Sequence, residues 1–185
     1  MMERQMFETS KARKRRLSDG FFQYCKGKGI DIGCGNDPLL PWIDKHDLQQ
    51  GDATYMKNIK DEEYDFVYSS HCLEDIVKPI EALNNWFRIL KTDGYLILYL
   101  PHRDLYEKNR ILPSKWNHDH KFFLLPNTND PPHTWSLEFL ISKTDYQYNI
   151  LYIKTCNEGH TITDPNIHSD GEYSIEAVIK KLDSQ

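Results

Sequence analysis

The chain has 185 residues with a formal net charge of -5, of which 39% are hydrophobic and 28% charged, and its mean hydropathy is -0.69. This length supports one compact domain with a substantial core and is short for two. The acidic balance argues against a nucleic-acid binder working through bulk charge. Cys25, Cys34, Cys72 and Cys156 show neither C-x-x-C pairing nor disulfide-framework spacing, so free thiols in a reducing compartment, the cytoplasm, are expected.

Residues 3–25 read as a helix, with Leu17, Phe21, Phe22 and Tyr24 as its apolar groups and Gly20 marking a bend. Its basic run, Lys11, Arg13, Lys14, Arg15 and Arg16, reads first as a solvated helix face and second as a phosphate or nucleic-acid contact. No apolar h-region precedes it, so it is not a secretory signal. The longest wholly apolar run, residues 95–100, is far short of a bilayer span, and no membrane insertion is expected.

Residues 28–36 (KGIDIGCGN) read as a buried strand running into a glycine-rich turn. Ile30 and Ile32 suit a parallel strand covered on both faces, while Gly33 and Gly35 let the backbone close against a ligand at the strand's carboxyl end. The third glycine of the dinucleotide fingerprint is missing, with Pro38 near its place, so the turn alone does not identify a ligand. Asp37 and Pro38 then suit the N-cap and first position of a short helix that Pro41 interrupts. Only 16 residues separate Gly35 from Asp52, which compresses whatever secondary structure lies between.

Residues 64–70 (YDFVYSS) form a predicted strand, entered from the polar turn 60–63, whose carboxyl end carries His71, Cys72 and Glu74 towards a ligand. Ile80, Leu83, Trp86, Phe87 and Leu90 recur at helical spacing across residues 78–91, and Thr92-Asp93-Gly94 is the expected stop before a strand at 95–100. Beyond Pro101 the chain is rich in groups that hydrogen-bond or move protons: His102, Asp104, His118, Asp119 and His120. The alternation of His118, Asp119 and His120 matches neither helical nor zinc-finger ligand spacing, and no metal is expected. A polar break at 127–132 precedes a helix at 135–143, and residues 148–154 and 173–180 read as two antiparallel strands around the loop 156–171.

Four segments together resemble a known family. Residues 31–35 (DIGCG) resemble motif I of the class I S-adenosylmethionine-dependent methyltransferases, and residues 51–53 (GDA) resemble the adenine-side motif after that family's third strand. Residues 64–74 look like its fourth strand and following loop, and residues 88–98 (RILKTDGYLIL) like the helix end, turn and fifth strand. The segments occur in family order across 27–103.

The resemblance implies an α/β, doubly wound Rossmann-like sheet, mostly parallel, of seven strands with an antiparallel C-terminal hairpin and a shortened second-strand region. It implies one domain, with an N-terminal helix at 1–26, a cofactor core at 27–103, a substrate-side insertion and helix at 104–147 and the strand pair at 148–185. The implied cofactor is S-adenosylmethionine, held by Asp31, Gly33, Cys34, Gly35, Asp47, Asp52, Ala53, Ser69 and His71. Asp44 or Asp47 would accept the ribose hydroxyls, with Asp47 preferred. Asp52 would meet the adenine amine and Ala53 leave room for the ring, while Tyr55 and Met56 pack on adenine or in the core. Ser69 would offer its carbonyl to the methionine amino group, His71 contact cofactor or shape its loop, and Glu74 cap the next helix.

The implied reaction is in-line methyl transfer to a polar small molecule or glycan, in which alignment does most of the catalysis. For an oxygen nucleophile, His102, Asp104, His118 and His120 are the general-base candidates. One alternative, methylation of RNA or protein, draws on the basic N-terminal run, but the loop after residue 70 lacks an Asn/Asp-Pro-Pro-Tyr sequence. The other is a non-catalytic binding module.

Overall fold

The computed structural model describes residues 7–183. Among them, fifteen segments of regular structure follow one another. Two helices, α1 (Glu8–Lys11) and α2 (Arg13–Ser18), lead through a 3-10 turn (Phe21–Tyr24) into β1 (Gly29–Ile32) and β2 (Asp44–His46). Then come β3 (Tyr64–Ser70), a 3-10 turn (Leu73–Asp75), α3 (Pro79–Ile89), β4 (Leu90–Pro101) and α4 (Arg103–Tyr106). The last elements are β5 (Phe123–Leu125), β6 (Thr134–Ser136), α5 (Leu137–Ser142), β7 (Tyr148–Cys156) and β8 (Ser174–Lys181). Among the described residues, no helix is long and apolar enough to cross a membrane.

The main sheet has the order β2-β1-β3-β4-β8-β7. Its first four strands are parallel, and β8 pairs antiparallel with both β4 and β7. This is the expected Rossmann-like α/β sheet with an antiparallel hairpin, but among the described residues it contains six strands and not seven. The strand after the glycine turn is present as β2, three residues long and in register with β1 from Ile30 against Asp44. No strand forms between residues 47 and 63, so an outer strand beyond β2 is what the short connection removes. β5 and β6 make a separate parallel pair.

Alternation along the strands divides the core into two layers, as a sheet covered on both faces requires. Val67, Leu96, Leu98, Ile175, Ala177 and Ile179 pack with Leu83, Trp86 and Phe87 of α3 and Leu137, Leu140 and Ile141 of α5. Phe66, Tyr68, Ile97, Tyr99 and Val178 face the other way, onto Ala12, Phe21, Cys25, Leu39 and Ile43. Gly29 is dictated by this packing: a Cβ there would lie 2.0 Å from the Phe66 ring.

Several expected elements differ. The single helix over 3–25 is two short helices and a 3-10 turn, broken at Gly20, whose φ is +76°; residues 3–6 lie outside the described region. No helix follows Pro38, because the Asp37 carboxylate accepts the Ser10 N–H (2.8 Å) and hydroxyl (2.7 Å) and so joins α1 instead of capping its own segment. Thr92-Asp93-Gly94 does not separate α3 from the next strand. β4 starts at once at Leu90, with Asp93 at φ +64° and Gly94 packed too tightly for a side chain, since an added Cβ would lie 2.8 Å from the Asp65 carbonyl. Trp135 belongs to β6, and α5 starts at Leu137 because Ser136 is its N-cap, accepting the Phe139 N–H at 2.9 Å.

The second half of the basic run near the N-terminus, Arg15 and Arg16, is turned inward. Arg15 forms ion pairs with Glu172 (2.9 Å) and Glu176 (3.0 Å), and the fully buried Arg16 pairs with Glu176 (2.8 Å) while donating to the Tyr68 hydroxyl (3.0 Å). Its guanidinium lies 4.4 Å and 4.6 Å from the Phe21 and Tyr99 ring centroids, within cation–π range. Lys11 pairs with Glu8, and Arg13 lies 3.7 Å from Asp37. Arg13 and Lys14 keep the expected solvated face, whereas Arg15 and Arg16 clamp the N-terminal segment to β8 and the loop before it.

Candidate active site

The parallel strands β1, β2 and β3 end on the same side of the sheet, so the turns that follow them meet there. Gly33 and Gly35 have φ of +75° and +50°, which admits glycine with least strain. Gly33 N–H donates to the His46 carbonyl at 2.8 Å and ties the turn to β2. A Cβ at Gly33 would lie 2.6 Å from the Cys72 Cβ, so the turn also fits tightly against the loop after β3, whereas a Cβ at Gly35 would meet open space. Asp47, directly after β2, accepts the Gly35 N–H on Oδ2 (2.7 Å) and the Leu48 N–H on Oδ1 (2.8 Å).

These turns enclose a cavity of about 820 Å³. Of the nine expected cofactor residues, Gly33, Asp47, Asp52, Ala53 and His71 line it. Asp52 is fixed by accepting the Thr54 N–H at 2.7 Å, and the Ala53 carbonyl accepts the Trp86 indole N–H at 2.9 Å, which anchors this wall to α3. Asp31, Cys34, Gly35 and Ser69 are not among the lining residues. Asp31 is fully buried; Oδ2 accepts the Leu39 N–H at 2.7 Å and Oδ1 has no partner. Burial raises its carboxyl to about 7 against the opposing Leu39 N–H and Arg16. Ser69, also fully buried, donates to the Ile32 carbonyl at 2.9 Å and so locks β3 to β1. Cys34 is buried and Gly35 exposed at the turn.

Tyr55 lines this cavity and also a neighbouring one of about 660 Å³ beside β2, whereas Met56 lines only the second and packs in the α3 layer. Asp44, the alternative ribose acid, lines the second cavity and accepts from the Tyr64 hydroxyl at 2.9 Å.

At the far end, His71 closes β3 with its backbone N–H on the Tyr99 carbonyl (2.8 Å) and its Nε2 sharing a hydrogen bond with Ser174 Oγ (2.9 Å). Burial pushes the imidazole down to about 4, so it is neutral at pH 7. Behind it, Tyr173 bonds both Glu8 and Lys11. Glu74, expected as a helix cap, is instead fully buried with both carboxylate oxygens unpartnered, and burial raises it to about 8. His120 Nδ1 bonds Glu107 Oε1 at 2.6 Å, and Ser114 Oγ donates to Glu107 Oε2 at 2.7 Å. Burial lowers the His120 pKa, but Glu107, Glu74 and Asp75 outweigh it and hold it above its ordinary value.

The expected general-base residues separate. His120 lies behind the Asp75 wall of the cavity, its Nε2 4.0 Å from Asp75 Oδ1. His102 caps α4 by accepting the Asp104 N–H at 3.2 Å, Asp104 pairs with Arg103 at 2.7 Å, and His118 is exposed; none of these three lines the cavity. Glu8, Glu107 and Tyr173 escaped sequence reading. They join His71 and His120 only through the way the strands and the N-terminal segment pack, and no local spacing announces them.

A cofactor carrying a nucleoside and an amino acid fits these residues. Carboxylates of Asp47 and Asp52 line one wall, Gly33 leaves its backbone bare, and Tyr55 and Ile76 supply apolar surface. A family profile described as a methyltransferase domain matches residues 2–136. No curated protein sequence matches the chain. Among solved structures, a SAM-dependent methyltransferase of Thermotoga maritima, described as a possible histamine N-methyltransferase, is 17% identical with a TM-score of 0.53, covering 96% of this chain and 100% of its own. A SAM-dependent methyltransferase from Archaeoglobus fulgidus is 20% identical with a TM-score of 0.54, covering 92% of each chain. Another from Methanosarcina mazei is 16% identical with a TM-score of 0.54, covering 91% of this chain and 99% of its own. At these identities the likeness speaks for the fold, and the family match carries the rest: the chain belongs to the methyltransferase-domain family, as a class I S-adenosylmethionine-dependent methyltransferase.

Proposed function

We propose that this methyltransferase acts on a polar small molecule or glycan, held at the His71 and Asp75 end of the cavity while the cofactor lies against Gly33, Asp47, Asp52 and Ala53. The observation that carries this reading is the continuity of one cavity from Asp47 and Asp52 to His71, Asp75, Asp119 and Lys121. The far end is polar and suits an acceptor rich in hydroxyl or amino groups. The inward-turned Arg15 and Arg16 leave the nucleic-acid reading without its main support.

In this reading the cofactor supplies a methyl group on a positively charged sulfur. Asp47 accepts the ribose hydroxyls with the lone pairs left free by its two backbone bonds, and Asp52 meets the adenine amine. Neutral His71, fixed by Ser174, accepts or donates one hydrogen bond without placing a competing charge beside the sulfonium. Asp31 and Ser69 act from behind, by holding the glycine turn and the β1–β3 pairing in place. The chain works as one domain in the cytoplasm, with Glu8 and Lys11 of the N-terminal segment bracing Tyr173 behind His71.

Calorimetric titration with S-adenosylmethionine and S-adenosylhomocysteine, on wild type and Gly33→Arg, tests the cofactor half. Saturable binding that the substitution abolishes is expected. Labelled methyl transfer to panels of glycans, small amines and hydroxylated metabolites, with RNA and protein as contrasts, tests the acceptor half. Transfer only to RNA or protein would overturn it.

A further inference from the structure

The loop that carries His120 is pinned to the turn after β3, because the Lys121 N–H donates to the Glu74 carbonyl at 2.8 Å. This brings three side chains together: His120 Nε2 lies 3.7 Å from Glu74 Oε1 and 4.0 Å from Asp75 Oδ1, and ligand atoms of all three fall within 4.8 Å of one another. Bonds of ~2.0–2.2 Å from nitrogen and oxygen to one ion place two donors up to ~4.3 Å apart, so both His120 pairs have metal-ligand separations.

A second observation is independent of that clustering. Glu74 is fully buried, yet both its oxygens and Asp75 Oδ1 are buried without any hydrogen-bond partner. Among the described residues, no lysine or arginine pairs with Glu74, Asp75 or Glu107; the basic side chains beside them are the imidazoles of His71 and His120. Buried carboxylates ordinarily have donors, and Glu74 has none on either oxygen. The imidazole is already oriented: Glu107, itself held by Ser114, bonds Nδ1, which leaves Nε2 facing Glu74 and Asp75, where an ion would displace its proton. This is the carboxylate–histidine arrangement that orients a metal-bound imidazole.

We propose that Glu74, Asp75 and His120 bind one divalent first-row transition-metal ion at the wall of the cavity, with Glu107 as the residue that positions His120. One imidazole with two carboxylates favours Mn²⁺ or Zn²⁺ over the all-oxygen coordination of Ca²⁺ and Mg²⁺. The site rests on these side chains and not on the identity of the methyl acceptor. His120 then serves as a ligand and not as a free base, and Asp75, which also lines the cavity, turns the ion's remaining positions towards it.

The test is titration of the chelator-stripped full chain with Mn²⁺ alone, followed by loss of the free-ion electron paramagnetic resonance signal and by the rise in unfolding temperature. Wild type is expected to take up one equivalent with micromolar affinity. Glu74→Gln and His120→Asn should weaken uptake at least ~100-fold, and Glu107→Gln by ~10-fold or more. Asp75→Asn, at a partly exposed position, decides the matter if the buried variants do not fold, and should also weaken uptake at least ~10-fold. Wild type leaving the free signal unchanged up to about 1 mM, or uptake unaltered in Asp75→Asn, would overturn the site. Cofactor titration on the same stripped protein reads the methyltransferase assignment separately, since Gly33 and Asp47 are not metal ligands.

Discussion

Gly33 and Gly35 carry the same motif letter but different physical constraints. Both sit at positive φ, where a non-glycine residue is strained by about 1–2 kcal/mol. Only Gly33 also faces a wall, with Cys72 atoms 2.6 and 2.8 Å from the position of an added Cβ. Overpacking adds about 1–3 kcal/mol there. Gly33→Ala is therefore expected to lose about 2–5 kcal/mol of stability and at least ~10-fold in affinity for S-adenosylhomocysteine, and Gly35→Ala only about 1–2 kcal/mol, by urea unfolding and calorimetry. Equal losses would mean that the Cys72 contact does not constrain the turn. Asp31, two residues earlier, shows a different effect of burial. Its pKa rises from 3.8 to about 7 on folding, so the folded chain keeps a proton that the unfolded chain releases as pH rises. That lowers wild-type stability between pH 3.8 and about 7. An amide in place of this carboxyl does not titrate, so the stability of Asp31→Asn relative to wild type should climb by a few kcal/mol across that window and then level off. A flat difference would show an ionised Asp31.

At the level of elements, the N-terminal helices owe their position to charge pairing across the sheet. Glu176 has no exposure, and although burial alone would raise its pKa, Arg15 and Arg16 hold it at about 2. Glu176→Gln leaves Arg16 buried without its carboxylate, a change that costs about 3–5 kcal/mol when a buried pair is broken. Chemical denaturation reads this directly, and a loss under about 1 kcal/mol would mean that the Tyr68 hydroxyl and the flanking rings suffice. The sequence contains Arg15 and Arg16 in plain view, but nothing near them shows that their partners lie some 160 positions later. A charge run looks solvated until the strand that receives it is placed. By contrast α3 was readable because its contacts are periodic, and its Trp86 and Phe87 are fully buried on the expected face. The short Gly35–Asp52 interval foreshadowed a lost element, and the spacing from Asp52 to Tyr64 pointed to the second strand; that strand survives, three residues long, as β2 beside β1, and the one absent among the described residues is the strand beyond it.

For the whole molecule, legibility followed contact range. Gly33 and Asp52, which line the larger cavity, sit in short local motifs and so stand out in the sequence, whereas Asp47 is told apart from Asp44 only once β2 is placed. The cluster around His71 and His120 was legible only in part, because its other members, Glu8, Glu107 and Tyr173, come from separate stretches. The sheet order has a further effect on synthesis. β8 is the last strand along the chain, yet it lies inside the sheet, between β4 and β7, and also receives the arginine clamp. On the ribosome, β1 to β4 can associate as they emerge, but β4 and β7 keep open edges until residues 174–181 have cleared the exit tunnel. Nascent chains stalled before that point carry two unsatisfied edges and an unanchored N-terminal segment, which makes them natural clients for chaperones and ready targets for quality-control proteolysis.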